Sequence, residues 1–317
     1  MQTSGTTASL RGVSAVNDRI VWASGTEGTW LRTLDGGGSW ESGRVPGAEA
    51  LDFRGVRGFD ERTAVLMSSG SGEKSRIYKT TDGGSHWTLL FTNPDAQGFF
   101  DAIAFWNRER GLVMGDAVDG HSVVLTTADG GEHWTRRQTP AALPKEGAFA
   151  ASNSCLVVRG DREAWFATGG VGAARVLHSR NGGTSWMAAS TPLRNDTASS
   201  GIFSLAFSDQ RHGIAVGGDY THDKESRGNI ALTVDGGAHW SAPAEGGARP
   251  RGFRSAIVYV VPRQAWVTTG TSGSDISLNG GKSWMSFDDG AWNAIAVFAG
   301  EAWAVGPKGR IARLFWK

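Results

Sequence analysis

The sequence predicts an all-β fold, a seven-bladed β-propeller that occupies residues 1–317 as a single domain. Two internal repeats support this prediction: an eight-residue turn motif that occurs six times, and a pair of apolar strands that occurs seven times. The composition agrees, because 46 glycines and 14 tryptophans suit many tight turns between short, packed strands. A closed ring of small sheets accounts for all three observations.

The turn motif has the pattern Ser/Thr-x-Asp/Asn-Gly-Gly-x-x-Trp, and it is called the octet below. Its Asp or Asn recurs every 44 to 54 residues, a spacing that suits a four-stranded blade. That side chain can accept hydrogen bonds from backbone N–H groups of its own turn, and the paired glycines tolerate positive φ. We therefore predict a structural and not a catalytic role for the six positions Asp35, Asp82, Asp129, Asn181, Asp235 and Asn279.

The strand pairs outnumber the octets by one, so the last blade lacks the motif. Each pair has an apolar strand, a polar turn and a second strand that ends at glycine, as in residues 205–218. The seventh blade then has only three predicted strands, the third covering residues 311–316. We expect the segment before Leu10 to supply its fourth strand, because closing the ring removes free sheet edges.

The octet resembles the Asp box, or bacterial neuraminidase repeat, of sialidases, sortilin-type receptors and related propellers. Residues 206–240 combine an Ala-Phe strand, a Gly-x-Ala-Val-Gly strand and the octet. This combination resembles the photosystem II assembly and stability factors and their bacterial relatives more closely, and weaker copies cover residues 10–316. The resemblance implies that the Asp boxes lie on one face and the ligand-binding loops on the other. It leaves the function open, because one fold serves many functions.

Composition and charge argue against several kinds of partner. Lys plus Arg (32) balance Asp plus Glu (31), so we expect no nucleic-acid partner. The single cysteine, Cys155, stands in an apolar run, which predicts neither a disulfide nor a cysteine metal site. We expect no metal, no cofactor and a monomeric protein. No run of 18 apolar residues predicts a transmembrane helix.

The first residues bear on localisation. Residues 1–7 have neither the basic nor the apolar region of a signal peptide. We therefore expect a cytoplasmic protein, unless a leader has been removed from this chain. In that case an exported protein, periplasmic or extracellular, is expected.

The candidate ligand-binding residues lie in loops between second and third strands and in connections between blades. Arginine suits two-point recognition of carboxylates, and it makes up most of the 32 basic residues. Positions at the starts of first strands, with neighbouring arginines, form one candidate set: Arg11, Arg54, Arg57, Asp101, Arg254 and Asn293. Loops of blades three and five give a second set: Asp116, His121, Asp219, Tyr220, His222 and Arg227. Solvated loop residues and weak surface ion pairs are the alternative interpretation of both sets.

Three functions fit these residues. We favour a non-enzymatic interaction module that binds a protein segment or an acidic small ligand at the arginine-rich face. The resemblance implies this function, because photosystem II assembly factors are thought to hold a partner polypeptide with an arginine patch. The second is a carbohydrate-binding protein that uses tryptophans such as Trp30, Trp106 or Trp292.

The third is a sialidase-like glycoside hydrolase. It would need an arginine triad, a tyrosine nucleophile with a glutamate partner, and an aspartic acid. Tyr220 is the single tyrosine in a predicted ligand-face loop. Sialidases carry an Arg-Ile-Pro element before their first Asp box, whereas Arg44-Val45-Pro46 follows the first octet here. This misplacement argues against the enzyme.

Overall fold

The computed structural model describes residues 1–315, and in this part of the chain it shows seven antiparallel sheets with almost no helix. Trp316, at the end of the predicted last strand, lies outside the described residues. Three single-turn 3-10 helices are the helical elements of residues 1–315: Gly72–Lys74, Tyr220–His222 and Val261–Arg263. No helix in this range is long and apolar enough to cross a membrane. The all-β prediction is confirmed.

Blades one to three are regular four-stranded sheets, each ordered by sequence from the first strand to the fourth. Their strands are β1 (Leu10–Ala15), β2 (Val21–Gly25), β3 (Thr29–Thr33), β4 (Glu41–Arg44), β5 (Asp52–Gly58), β6 (Ala64–Ser69), β7 (Arg76–Thr80), β8 (Thr88–Thr92), β9 (Phe100–Phe105), β10 (Gly111–Val118), β11 (His121–Thr127) and β12 (Thr135–Arg137). First and second strands are mostly buried, whereas the fourth strands of these blades are exposed or half-buried, so the core lies toward the propeller axis.

Blades four to seven continue the ring with more variation. Their strands are β13 (Glu146–Gly147), β14 (Leu156–Arg159), β15 (Glu163–Ala167), β16 (Gly169–Gly170), β17 (Arg175–Ser179), β18 (Met187–Ser190), β19 (Ser200–Phe207), β20 (Gly213–Asp219), β21 (Ile230–Thr233), β22 (Ala256–Val260), β23 (Ala265–Gly270), β24 (Gly273–Ser277), β25 (Met285–Asp288), β26 (Ala294–Phe298), β27 (Glu301–Val305) and β28 (Ile311–Leu314). The two-residue strands β13 and β16 pair with each other, and β16 also pairs with β19, which joins blades four and five.

Blade five departs from the predicted four strands. Its outer strand is reduced to a single bridge between Leu232 and Ser241. Pro243 follows two residues later and has no N–H group to extend the pairing. The seven-bladed architecture is unaffected, because the first strands of all neighbouring blades still contact each other around a complete circle.

The octets form the hairpin turns between third and fourth strands. In the first octet the N–H of Gly37 donates to Thr33 Oγ1 at 2.8 Å, and the N–H of Ser39 donates to Asp35 Oδ1 at 2.9 Å. The same two bonds recur in the other five octets at 2.9–3.0 Å. The backbone N–H of Ser39 is the main cause of the low pKa of Asp35, which lies well below its usual value. The predicted structural role of these positions agrees with the bonds they make.

Buried tryptophans connect neighbouring blades through their indole N–H groups. Trp22 of blade one donates to the carbonyl of Asp60 in blade two at 2.9 Å. Trp165 of blade four donates to Gly236 in the octet of blade five at 2.8 Å. Both indoles are fully buried. Each hydrogen bond therefore satisfies an N–H group whose burial without a partner would destabilise the fold.

The ring is closed where blade seven meets blade one. The N–H of Gln2 donates to the carbonyl of Ile311 at 2.8 Å, so the segment before Leu10 adds one bridge to the three strands of blade seven. Trp303 of blade seven donates to the carbonyl of Gly36 at 3.2 Å. Asn293 Nδ2 donates to the carbonyl of Leu10 at 2.7 Å. The N-terminal segment therefore closes the last blade, as the strand count predicts, but it does so with one bridge and not with a full fourth strand.

We predict that Asp82→Ala lowers the melting temperature by a few degrees and leaves ligand binding unchanged, because it removes hydrogen bonds of one hairpin turn far from the opposite face. Thermal unfolding followed by circular dichroism measures the effect. Asp18→Ala, an exposed aspartate of the first turn of blade one, is the control and should melt like the parent. Lost binding at an unchanged melting temperature would show that the octets have a functional role.

Candidate functional site

A depression of about 480 Å³ opens at the centre of the face opposite the octets. Its walls come from the beginnings of first strands and from loops between second and third strands, which is where the resemblance to Asp-box propellers leads us to expect the ligand-binding face. A larger cavity of about 740 Å³ lies at the seam of blades one and seven, where residues 1–7 cross it. The central depression is the better candidate, because residues from around the ring converge there.

One wall of the depression is basic. Arg54 Nε donates to Asp52 Oδ2 at 2.8 Å, and Arg11 Nε lies 3.8 Å from Asp52 Oδ1. Arg54 also donates through Nη1 to the carbonyl of Ala150 at 2.9 Å. Burial is the main cause that lowers the pKa of Arg11, although an arginine keeps its charge at neutral pH. Two guanidinium groups thus share one carboxylate, which leaves positive charge for a ligand.

A second wall is acidic. Asp101 is only 1% exposed, and no described residue donates a hydrogen bond to its Oδ2 atom. Asp116 is half-buried, and its Oδ1 accepts the N–H of Ala148 at 2.8 Å. Burial raises the pKa of Asp101 well above its usual value, and the neighbouring Asp116 raises it further. Burial also raises the pKa of Asp116.

The third wall is aromatic. The rings of Phe149 and Phe203 stack with centroids 3.9 Å apart, and Phe253 meets Phe203 edge-on at 4.6 Å. Tyr220 lies above this cluster with its ring centroid 6.1 Å from that of Phe203, and it remains 52% exposed. A ligand in the depression therefore meets apolar rings on one side and charged groups on the other.

Four phenylalanines of the depression are absent from the candidate sets predicted from sequence: Phe99, Phe149, Phe203 and Phe253. One of them carried a signal. In each of five blades, the residue that follows a fully or almost fully buried apolar residue near the start of the first strand lines the depression. Four of these residues are Arg11, Arg54, Asp101 and Asn293. Phe203 holds this position in blade five. Aligning all seven strand starts would have revealed it. Phe149 lies in the irregular connection before blade four, where no repeat pattern predicts a position.

Arg254 does not join the basic wall, so its predicted place in the site is wrong. Its side chain is completely buried and is hydrogen-bonded to Asp275, with Nε at 2.8 Å from Oδ2. The residue that aligns with Arg54 in blade six is Ser255. Arg254 stands one position earlier, and successive side chains of an extended strand point to opposite sides.

The remaining predicted residues separate into those at the depression and those outside it. Asp116, Tyr220 and Asn293 line it, together with Arg11, Arg54 and Asp101. Arg57 lies deeper, against the central channel, with its guanidinium 5.8 Å from the ring of Phe59. The others make contacts that hold loops: His121 with Thr139, His222 with Asp219, and Arg227 with Asp196. Within residues 1–315, no group of three His, Cys, Asp or Glu side chains could hold a metal ion.

The tryptophans considered for sugar binding make packing or hydrogen-bond contacts within the protein. Trp30 and Trp292 are 5% and 4% exposed, and the guanidinium of Arg310 covers the ring of Trp292 at 4.6 Å. Trp106 donates its indole N–H to the carbonyl of Glu163 at 2.9 Å. The rings of Trp30 and Trp292 therefore offer no open face for stacking on a sugar, and the half-buried Trp106 lies on the octet face, away from the depression.

Comparison with solved structures supports the fold. YCF48 bound to a D1 peptide aligns over 100% of this chain and 96% of its own, with a TM-score of 0.69 and 17% identity. YCF48 from Cyanidioschyzon merolae aligns over 98% and 97%, with a TM-score of 0.66 and 15% identity. The WD40 propeller domain of Doa1 aligns over 99% and 94%, with a TM-score of 0.64 and 16% identity. No protein-family model matches the sequence, and no curated protein matches it. The predicted resemblance to photosystem II assembly factors is thus supported at the level of the propeller fold.

We predict that Asp101→Asn stabilises the protein at neutral pH. The pKa of Asp101 is higher in the folded state than in the unfolded state, where it lies near 3.8. The protonated carboxyl group therefore gives its full contribution to folding stability below the unfolded-state pKa. This contribution is lost as the pH rises through the folded-state pKa. The variant does not titrate there, so its advantage in melting temperature should grow from pH 4 to pH 8. The measurement is thermal unfolding at several pH values, with Asp18→Asn as an exposed control. An advantage that is independent of pH would contradict the prediction.

Proposed function

We propose that this protein is a non-enzymatic interaction module that binds a carboxylate-bearing segment of another protein in the central depression. The observation that carries the proposal is the sharing of Asp52 by Arg11 and Arg54 at one wall of the depression. Among residues 1–315, no second carboxylate forms an ion pair with Arg11 or Arg54. A ligand carboxylate can supply the missing charge.

The exposure of the two arginines suits this role. Each side chain is 29% exposed, so its guanidinium is reachable from solvent and yet partly removed from water. A charge-assisted hydrogen bond in such a setting contributes about 1.5–3 kcal/mol, more than a fully exposed ion pair. The aromatic wall adds apolar surface on which the rest of a ligand can pack.

The size of the depression favours a chain segment over a folded partner domain. A volume of about 480 Å³ holds a few side chains, whereas a domain interface would need a broad surface. YCF48, which shares the fold, has been solved with a D1 peptide bound. That complex supports a protein segment as the class of ligand for this chain as well.

We predict that Arg54→Glu weakens binding about tenfold or more, whereas Arg54→Lys weakens it much less, because only the first change reverses the charge. Peptides selected on the parent protein from a randomised hexapeptide library serve as the probe, and fluorescence anisotropy gives the dissociation constants. Affinity should also fall as sodium chloride is added.

Arg19→Glu is the matched control, because Arg19 is exposed in the first turn of blade one, on the octet face. It makes the same change in net charge far from the depression. Equal losses in Arg19→Glu and Arg54→Glu would contradict the proposed site.

A hydrolase deserves a direct test, because Tyr220 lies in the same depression as Arg11 and Arg54. No glutamate of the described residues lines the depression, so Tyr220 lacks the partner that a tyrosine nucleophile requires. We therefore predict no turnover of a fluorogenic sialoside. Turnover that disappears in Tyr220→Phe would replace the interaction module with an enzyme.

A further inference from the structure

We propose that Asp101 and Asp116 form a cation-binding subsite, so that the bound segment carries a lysine or arginine side chain close to its carboxylate. This inference rests on the proposed function and specifies its ligand. It assigns the acidic wall a role of its own, beside the basic wall that Arg11 and Arg54 form.

The buried acidic residues differ in whether they have a basic partner. Asp101, Glu146, Asp219 and Asp275 are the buried acidic residues of the described chain. Three of them have basic partners: Glu146 has Arg175, Asp219 has His222 at 3.1 Å, and Asp275 has Arg254. Asp101 has no ion pair among residues 1–315, and its Oδ2 atom accepts no hydrogen bond there. It is the exception, and it lines the depression.

The nearest basic group does not fill this gap. The charge of Arg54 and the backbone N–H groups of Asp116 and Ala150 lower the pKa of Asp101, but burial and the charge of Asp116 outweigh them. Arg54 directs its Nε to Asp52 and its Nη1 to the carbonyl of Ala150. The other titratable neighbour is the thiol of Cys155, a buried side chain whose own pKa is raised by burial and by Asp101. Among residues 1–315, the acidic wall therefore has no basic partner that is free to turn toward it.

Burying a carboxyl group without a basic partner is unfavourable, so such a group either keeps its proton or meets a cation. A ligand ammonium or guanidinium would compensate both carboxylates at once. The aliphatic part of a lysine or arginine side chain can pack on the neighbouring rings of Phe99 and Phe149, which line the same depression. The three walls together then fit a segment with one acidic and one basic group.

This arrangement couples binding to protons. A cation favours the ionised carboxyl groups, so binding should release protons from Asp101 and Asp116. The affinity for a lysine-bearing peptide should rise with pH across the range in which these groups titrate. A peptide that has only the carboxylate should show the opposite trend, because ionised aspartates repel it.

The test begins with peptides selected on the parent protein from the randomised hexapeptide library. We expect Lys or Arg to be enriched near an acidic group. Replacing that basic residue of the peptide by norleucine should weaken binding to the parent protein about tenfold. The same replacement should weaken binding to the Asp101→Asn and Asp116→Asn variants less than about twofold. Calorimetry in two buffers of different ionisation enthalpy should detect proton release for the lysine peptide only. Asp18→Asn is the exposed control, and the melting temperature reports the folding of each variant.

Each result separates this inference from the proposed function. Peptides that depend on Arg54 but show no enrichment of basic residues would overturn the subsite and leave the carboxylate site intact. An equal norleucine effect in the parent, Asp101→Asn and Asp116→Asn would overturn it as well. Selection that yields no peptide dependent on Arg54 would overturn the proposed function itself. If both aspartate variants reduce the norleucine effect in the same way, a folding defect in one of them does not explain the result.

Discussion

The hydrogen bonds of the octet turns are the interaction on which the rest of the molecule depends. Each turn satisfies its own backbone through one hydroxyl and one Asp or Asn side chain, which fixes the hairpin between a third and a fourth strand. The same turns also form hydrogen bonds with residues outside the octet. The N–H of Gly36 donates to the carbonyl of Arg19 in the first turn of its own blade, and its carbonyl accepts the indole of Trp303 from blade seven. Local turn chemistry thereby sets how blades meet, and the meeting of the blades creates the central depression.

The octet turns and the central depression place carboxyl groups in opposite environments. On the octet face Asp35, Asp82 and Asp129 are surrounded by N–H and hydroxyl donors, and their pKa values lie well below the usual value. On the other face the pKa values of Asp101 and Asp116 are raised by burial. The first group is saturated with hydrogen bonds from its own chain. The second has bonding capacity left, which supports our proposal that these two residues bind a ligand.

The scaffold could be predicted from the sequence because its signals are local. An octet makes its hydrogen bonds within eight residues, and the strand pairs are joined by short turns. The site could be predicted only in part, since Arg11, Arg54 and Asp101 follow the repeat, whereas Phe149 lies in an irregular connection. Arg254 shows why the rest of the site could not be predicted: a shift of one position in an extended strand turns a surface residue into a core residue. The reduced outer strand of blade five likewise depends on a single Pro243.

The closure of the ring has a consequence for the time course of folding. Asn293 and Leu10, and likewise Trp303 and Gly36, are hundreds of residues apart in sequence but bonded in space. The entropy lost on closing a loop grows with its length, and such distant contacts slow folding. Blade one leaves the ribosome long before blade seven has been synthesised. Until then, the surface of blade one that later contacts blade seven stays exposed. The seam between blades seven and one is therefore the last interface to assemble, and chaperones would find their exposed surface there during synthesis.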